Sequence, residues 1–447
     1  MENVEICAVG GYNEVGRNMT ALKVGNETII WDMGINVGKL AEYQEETPSQ
    51  EEYTLKLLQR IDAIPHMHKI QSWIPNTKAI CISHCHIDHI GSIPFLAPDV
   101  KAPIIATPYT MEVIKNQLDK DSLKLPNELR IIKPHSTQQI SENIKIEYIN
   151  IPHSTPECSL LVAHTKKGNF MYATDWKFDN TPTLGPPPDY KRLKQLGKEG
   201  IKTLVINSLY SSADRKTPSE KVAVELLHDV LFGIENSEAA IVTTCFASHI
   251  ARIKTIIEFA KKLNRKVIIL GRSFSKYISA AETAKITKLS DQVDIAVYRS
   301  DISRILSEIN KKGAHKYLII CTGGQGEKNA VLSRIIRGEL KFKFYPDDHI
   351  IFSNKVIPVE PNITNRGKLE RHLKEMGVRI FNDVHVSGHC SREDIREMIK
   401  LVNPETIIPC HGTESLLEPA CGLAEEMGYK INRDIHLMKN GEKIIIE

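Results

Sequence analysis

Ser83-His84-Cys85-His86-Ile87-Asp88-His89 follows directly on the apolar run Ala79 to Ile82. Three imidazoles and one carboxylate thus crowd a single turn at the end of a predicted strand. Such groups need partners once they leave water, so simple packing does not account for the crowding. A borderline-soft divalent metal suits the donor set, Zn²⁺ first. The spacing divides the donors: His84 and His86 can converge on one ion, while Asp88 and His89 can turn to a second.

More donors of the same kind stand downstream, each just past an apolar run. His153 follows Ile144 to Ile151, Asp175 follows Asn169 to Ala173, and His411 follows Thr406 to Pro409. A strand end fixes a side chain better than a mobile loop does. Together these make seven nitrogen and oxygen donors, enough for a two-metal centre in which Asp175 could bridge.

Around this site the chain reads as an interrupted strand-rich domain. The first ~180 residues alternate short strands and turns, with a helix over Tyr109 to Gln117. From about residue 207 the texture becomes strand, helix, strand, which implies a doubly wound parallel sheet. The first texture returns near 353. The expected organisation is therefore 1–207, an inserted domain at 208–352, and 353–447, with the tail Ile435 to Glu447 as a closing hairpin turned at Asn440-Gly441.

The chain has 447 residues, 41% apolar and 25% charged, with a formal net charge of +3. That balance neither requires nor excludes a nucleic-acid partner. No run of ~18 apolar residues is present, so no membrane span is expected. The acidic start Met1 to Glu5 does not read as a signal peptide. Nine scattered cysteines without a CxxC pair point to a reducing compartment, the cytoplasm.

The pattern His-x-His-x-Asp-His with a distant His, a distant Asp and a late His resembles the metallo-β-lactamase superfamily. Gly10-Gly11-Tyr12-Asn13-Glu14-Val15-Gly16-Arg17-Asn18-Met19, His153-Ser154-Thr155-Pro156-Glu157-Cys158-Ser159 and Thr174 to Pro182 narrow it. With Ser387-Gly388-His389-Cys390-Ser391 and Pro409-Cys410-His411-Gly412 they resemble the archaeal-type ribonuclease J family of the β-CASP branch. The resemblance implies an α/β (α+β) fold: a metallo-β-lactamase αββα sandwich carrying an inserted doubly wound parallel-sheet β-CASP domain. It implies two Zn²⁺ per chain. His84, His86, His153 and Asp175 would hold the first, and Asp88, His89, Asp175 and His411 the second. Asp32 would orient a ligand histidine from behind. His389 would sit by the scissile phosphate, offsetting its charge and helping to protonate the leaving 3′-oxygen. One departure is Asn207-Ser208, where the family usually has an acidic residue. The stop at Glu447 gives the expectation of a minimal form without an extra C-terminal domain.

The inserted segment offers three polar strand-end loops: Ser248-His249 with Arg252 behind, Gly271-Arg272-Ser273, and Thr322-Gly323-Gly324-Gln325-Gly326. Ligands of parallel sheets gather beyond the carboxyl strand ends, and glycine loops and helix N-termini suit phosphates. The resemblance implies that Arg272, Ser273, His389 and Ser391 hold a 5′-terminal phosphate. The clusters Lys261-Lys262 with Arg265-Lys266, and Lys341 with Lys343, are candidate entry residues. The function expected is metal-assisted hydrolysis of single-stranded RNA, processive from a 5′-monophosphate end, by a homodimer. Its rivals are an endonuclease of the RNA 3′-end cleavage-factor type and a non-catalytic RNA-binding subunit. A small-molecule metallohydrolase would use the same ligands but would not need the insertion.

Overall fold

The computed structural model describes residues 3–46, 53–120 and 124–446. They fall into two compact units. The first gathers the described residues up to Tyr43, those from 53 to Thr217, and Gly388 onward; the second is Pro218–Ser387 with a short piece starting at Gln44.

Two mixed sheets form the first unit. One has the order Lys443–Ile446, Val4–Gly10, Met19–Val24, Glu27–Trp31, Thr77–Cys81, Ile104–Ala106, Leu129–Ile131. The other runs Thr406–Cys410, Ile201–Asn207, Gly168–Ala173, Ser159–Thr165, Ile144–Asn150, Ser136–Gln139. Successive side chains on a strand point to opposite faces, and the burial follows that rule. Ile144, Ile146, Tyr148, Leu161 and Ala163 face the first sheet across one core, where Trp31 stacks on Tyr172 at 5.2 Å. Ile149, Leu160 and Val162 turn the other way, against Leu193 and Leu196 of helix Tyr190–Glu199 and Ile395, Met398 and Ile399 of helix Arg392–Val402. Each fully buried aliphatic side chain contributes ~1.5–3 kcal/mol.

Glu147 ties one of these helices to its strand. Arg192 donates to it through Nε and Nη2 at 2.7 and 2.8 Å, and His164 Nε2 lies 2.7 Å from the same carboxylate. Burial alone would raise this carboxyl; the bonds from Arg192 and His164 outweigh it and bring it down from 4.5 to about 2. A depressed folded-state pKa adds stability above the unfolded value, and that stability is lost as pH falls through the folded one. Glu147→Gln should therefore cost roughly 2 kcal/mol at pH 7. The cost should shrink between pH 4.5 and 2, read as the converging melting temperatures of the two proteins.

In the second unit six strands make an entirely parallel sheet, ordered Asp294–Ala296, Lys266–Leu270, Tyr317–Cys321, Ile241–Thr244, His349–Phe352, Arg379–Phe381. The helices Ile250–Lys262, Arg272–Thr283 and Arg299–Lys312 connect strands of this sheet. The unit reaches Ser387, beyond the 352 read from the sequence. Arg379–Phe381 pairs in parallel with His349–Phe352, and Leu369 and Leu373 of helix Asn362–Glu375 join the same core. The tail also differs from the expected hairpin. Among its described residues only Lys443–Ile446 is a strand, and it pairs antiparallel with Val4–Gly10, while Ile435 bridges to Ile407.

All nine cysteines are buried and unpaired. Among the described residues no helix is long and apolar enough to cross a membrane.

Candidate metal centre

Strand pairing brings the donors to one edge of the sandwich. Asp32 N donates to Cys81 O at 3.0 Å, which sets the turn after Glu27–Trp31 beside the one after Thr77–Cys81. In the second sheet Ala173 pairs with Ile206 and Asn207 with Cys410, so Asp175, Asn207 and His411 emerge together. Asp88 and His89 lie on the single-turn helix Ile87–Ile90.

Two clusters of potential ligand atoms result, His84, His86, His153 and Asp175 in one and Asp88, His89 and His411 in the other, with the atoms of each within 4.8 Å of one another. Asp175 Oδ2 stands 3.4 Å from His84 Nε2, 3.5 Å from His153 Nε2 and 3.5 Å from His89 Nε2. Its Oδ1 is 3.9 Å from His411 Nε2. This carboxylate therefore faces both clusters.

The surrounding bonds leave lone pairs pointing inward. Asp32 accepts from Ser83 N and Ser83 Oγ and, at 2.7 Å, from His89 Nδ1. That fixes His89 with its Nε2 toward the cluster. His153 Nδ1 donates to Gly388 O at 2.7 Å, which likewise directs its Nε2 inward. His84 Nε2 is buried and has no hydrogen-bond partner, a costly state for an imidazole nitrogen unless a cation takes it. These observations fit two borderline-soft cations held by nitrogen and oxygen.

The electrostatics agree. Burial, then the neighbouring His89, pushes His84 down to about 3. Burial also lowers His153 well below its ordinary value and brings His389 to about 4. Neutral imidazoles are the ones able to ligate. Burial would raise Asp175, but His389, His411 and His89 outweigh it and hold it well below the usual carboxylate range. Burial would lower His89, but Asp88, Asp175 and Asp32 outweigh it and raise it well above its ordinary value. Asp88, Asp175 and Asp32 would thus suit a divalent cation in place of the proton on His89.

Asn207 closes the far side. Its Oδ1 accepts from Leu209 N at 3.0 Å, so the amide can face only one way. Nδ2 then donates to Asp175 Oδ1 at 2.9 Å and to His389 Nδ1 at 3.2 Å. The His389 ring stacks on His411 with centroids 5.5 Å apart, and its carbonyl accepts from Thr217 Oγ1. Ser391 is buried with its hydroxyl turned inward, 2.8 Å from Thr217 Oγ1, and caps helix Arg392–Val402.

Known relatives can now be set beside this geometry. A chain called Ribonuclease J from Methanocaldococcus jannaschii is 41% identical over 445 residues, covering 99% of both chains. The chain belongs to the ribonuclease J family. A second Ribonuclease J, from Pyrococcus abyssi, is 40% identical over 99% of this chain and 97% of that one. Ribonuclease J 1 of Streptococcus pyogenes is 31% identical over 99% of this chain and 74% of its own length. Family models match in three places: a beta-lactamase superfamily domain at 56–187, a Ribonuclease J beta-CASP domain at 238–367, and a Zn-dependent metallo-hydrolase RNA specificity domain at 370–433. A crystal structure of a protein of unknown function from Enterococcus faecalis shares the fold, with TM-score 0.66 at 14% identity over 99% of this chain. The ribonuclease J fold, a metallo-β-lactamase sandwich with a β-CASP domain, thus accounts for both units.

The other sequence candidates lie in the second unit and differ among themselves. Arg272 and Ser273 open helix Arg272–Thr283, with Arg272 exposed. Ser248 and His249 are buried, and His249 Nδ1 accepts from Arg252 N. Arg252, which the sequence places behind this loop, is committed within the fold. It is fully buried, grips Glu220 through Nε and Nη2 at 2.6 and 2.8 Å, and donates to Ser353. Gly323 has φ +122°, and Gly324 O accepts from Asn354 and Arg366, with a Cβ at Gly324 falling 2.3 Å from the Asn354 side chain. Arg265 is likewise committed, donating to the carbonyls of Asn236, Ala239 and Tyr317. Sequence reasoning gave Asn18 no role and left that of Asn207 open; asparagine is common in turns, and only the mutual geometry singles them out.

Proposed function

We propose that this chain is a two-zinc ribonuclease that degrades single-stranded RNA from a 5′-monophosphate end, in the cytoplasm. The observation that carries the reading is Asp175 facing two ligand clusters at once. Zinc held there would acidify water and offset phosphate charge. His84, His86, His153 and Asp175 would hold one ion, and Asp88, His89, His411 and Asp175 the other. Asp32 orients His89, and Asn207 orients Asp175 and His389. His389 carries its proton on Nε2, because Nδ1 is engaged by Asn207, and so offers a donor to a phosphate oxygen.

Charge distribution supports a polyanionic substrate. Residues 218–387 hold 27 Lys and Arg against 19 Asp and Glu, while the rest of the chain holds 31 against 36. The near-neutral total conceals a basic inserted segment, as a nucleic-acid partner favours. Arg272 and Ser273 at a helix N-terminus suit an end phosphate, as do the loops at Ser248-His249 and Gly323-Gly324, with Ser391 shaping the His389 loop. Nine unpaired cysteines suit a reducing compartment.

The test uses zinc-loaded protein and RNA labelled at either end, bearing a 5′-monophosphate, triphosphate or hydroxyl, with a circular RNA alongside. The expected result is mononucleotides from the 5′ end, fastest with the monophosphate, and an intact circle. Internal fragments and a cut circle would establish endonuclease action of the 3′-end cleavage-factor kind. Binding without product would leave an RNA-binding subunit.

A further inference from the structure

We infer that Asn18 is a positioning residue that assembles the second cation site, the one formed by Asp88, His89 and His411; the inference rests on the two-cation reading above. Asn18 is buried at 2% exposure and its amide touches all three groups. Nδ2 lies 3.2 Å from Asp88 O and 3.3 Å from Asp88 Oδ2. Both are acceptors, so that end of the amide is the donor. Oδ1 therefore faces His411 Nδ1, 2.9 Å away, and accepts its proton. His411 is left with Nε2 as its free nitrogen, 3.9 Å from both Asp88 Oδ2 and Asp175 Oδ1. Nδ2 also lies 3.0 Å from His89 Nε2, the nitrogen left free by the bond from Nδ1 to Asp32.

The backbone enforces the same arrangement. Asn18 N donates to Asp88 O at 2.8 Å, Gly34 N donates to Asn18 O, and His411 N donates to Gly11 O at 2.7 Å. One loop thus joins two ligand segments far apart in the sequence. Two glycines make room for it. A Cβ at Gly34 would sit 1.6 Å from Asp88 O, and one at Gly11 would sit 2.4 Å from Asn18 Oδ1. Arg17, also buried, ties the loop down by ion pairs to Glu14 and Asp62. The supports of His84 and His153, in the other cluster, come instead from Ser83 and Gly388. Loss of Asn18 should therefore fall on one site of the two.

The experiment strips the full-length protein with a chelator and titrates Zn²⁺, following heat and counting bound ions by native mass spectrometry. Wild type should take two ions in resolved steps. Asn18→Ala should keep the first step and weaken the second 10–100-fold, the usual effect of removing a group that orients a ligand. Asn18→Ser, whose hydroxyl is too short to reach His411, should do the same and carries the test if the alanine variant folds poorly. Melting of the zinc-free proteins monitors folding. Two unchanged steps in a folded variant overturn the inference and leave the two-cation reading intact. Both steps weakened equally, with a lowered zinc-free melting temperature, overturn it in favour of a general scaffold role. A wild-type protein that takes one ion fails the two-cation reading itself, and the inference with it.

Discussion

Asp175→Asn is expected to abolish stable binding at both cation sites and to lower RNA cleavage by more than ~10⁴-fold, beyond what loss of one oriented group costs. The substitution keeps the shape and removes the charge. Asp175 is buried and flanked by His84, His153 and His89 at 3.4 to 3.5 Å. An amide there presents either an N–H pair to imidazole lone pairs or a second N–H group to Asn207 Nδ2, which already donates to Oδ1. The first choice engages the lone pairs a cation would need, and the second sets donor against donor. The remaining ligands would then have to hold divalent charge with only Asp88 as a carboxylate partner. Zinc counted on the purified variant by native mass spectrometry checks the first half of the expectation, and turnover of end-labelled RNA the second. A variant that retains two ions per chain would show that Asp175 is not a shared ligand.

The centre was legible from sequence because one loop crowds His84, His86, Asp88 and His89, and because His153, Asp175 and His411 each follow an apolar run that does form a strand. Strand ends, once paired in register, leave little freedom in where the next residue points. Arg252 shows the opposite case. A loop of Ser, His and Arg reads as a phosphate site, yet its arginine is spent on Glu220, 32 residues earlier. Burial of that kind is rare for arginine and has no periodic signature. The inserted unit was cut short for a similar reason: Arg379–Phe381 is three residues long and only its pairing with His349–Phe352 makes it a strand. Met19–Val24 carries no alternating strand signal, because all but Lys23 are buried and the pattern that marks a half-exposed strand is erased. Asn18 and Asn207 lie deeper still. Their roles depend on three partners each, and no local pattern encodes three partners at once.

His389→Ala is expected to lower turnover by ~10²–10³-fold while both zinc ions remain, the loss typical of removing one preorganised donor from a developing oxyanion. Asn207 fixes the ring through Nδ1, so Nε2 bears the proton. Burial keeps the imidazole neutral at pH 7, with its pKa brought to about 4. A neutral Nε2–H is a hydrogen-bond donor, better suited to a charged phosphate oxygen than to outright proton delivery to the leaving 3′-oxygen. The affinity for RNA should change little, since the bond strengthens as charge builds. The rival role is also geometrically open: Asp175, His389 and His411 form a third set of donors within 4.8 Å. If His389 ligates, the alanine variant loses a zinc ion along with its activity. Zinc counts and single-turnover rates on the same preparation separate the two. A normal rate with two ions bound would remove His389 from the reaction altogether.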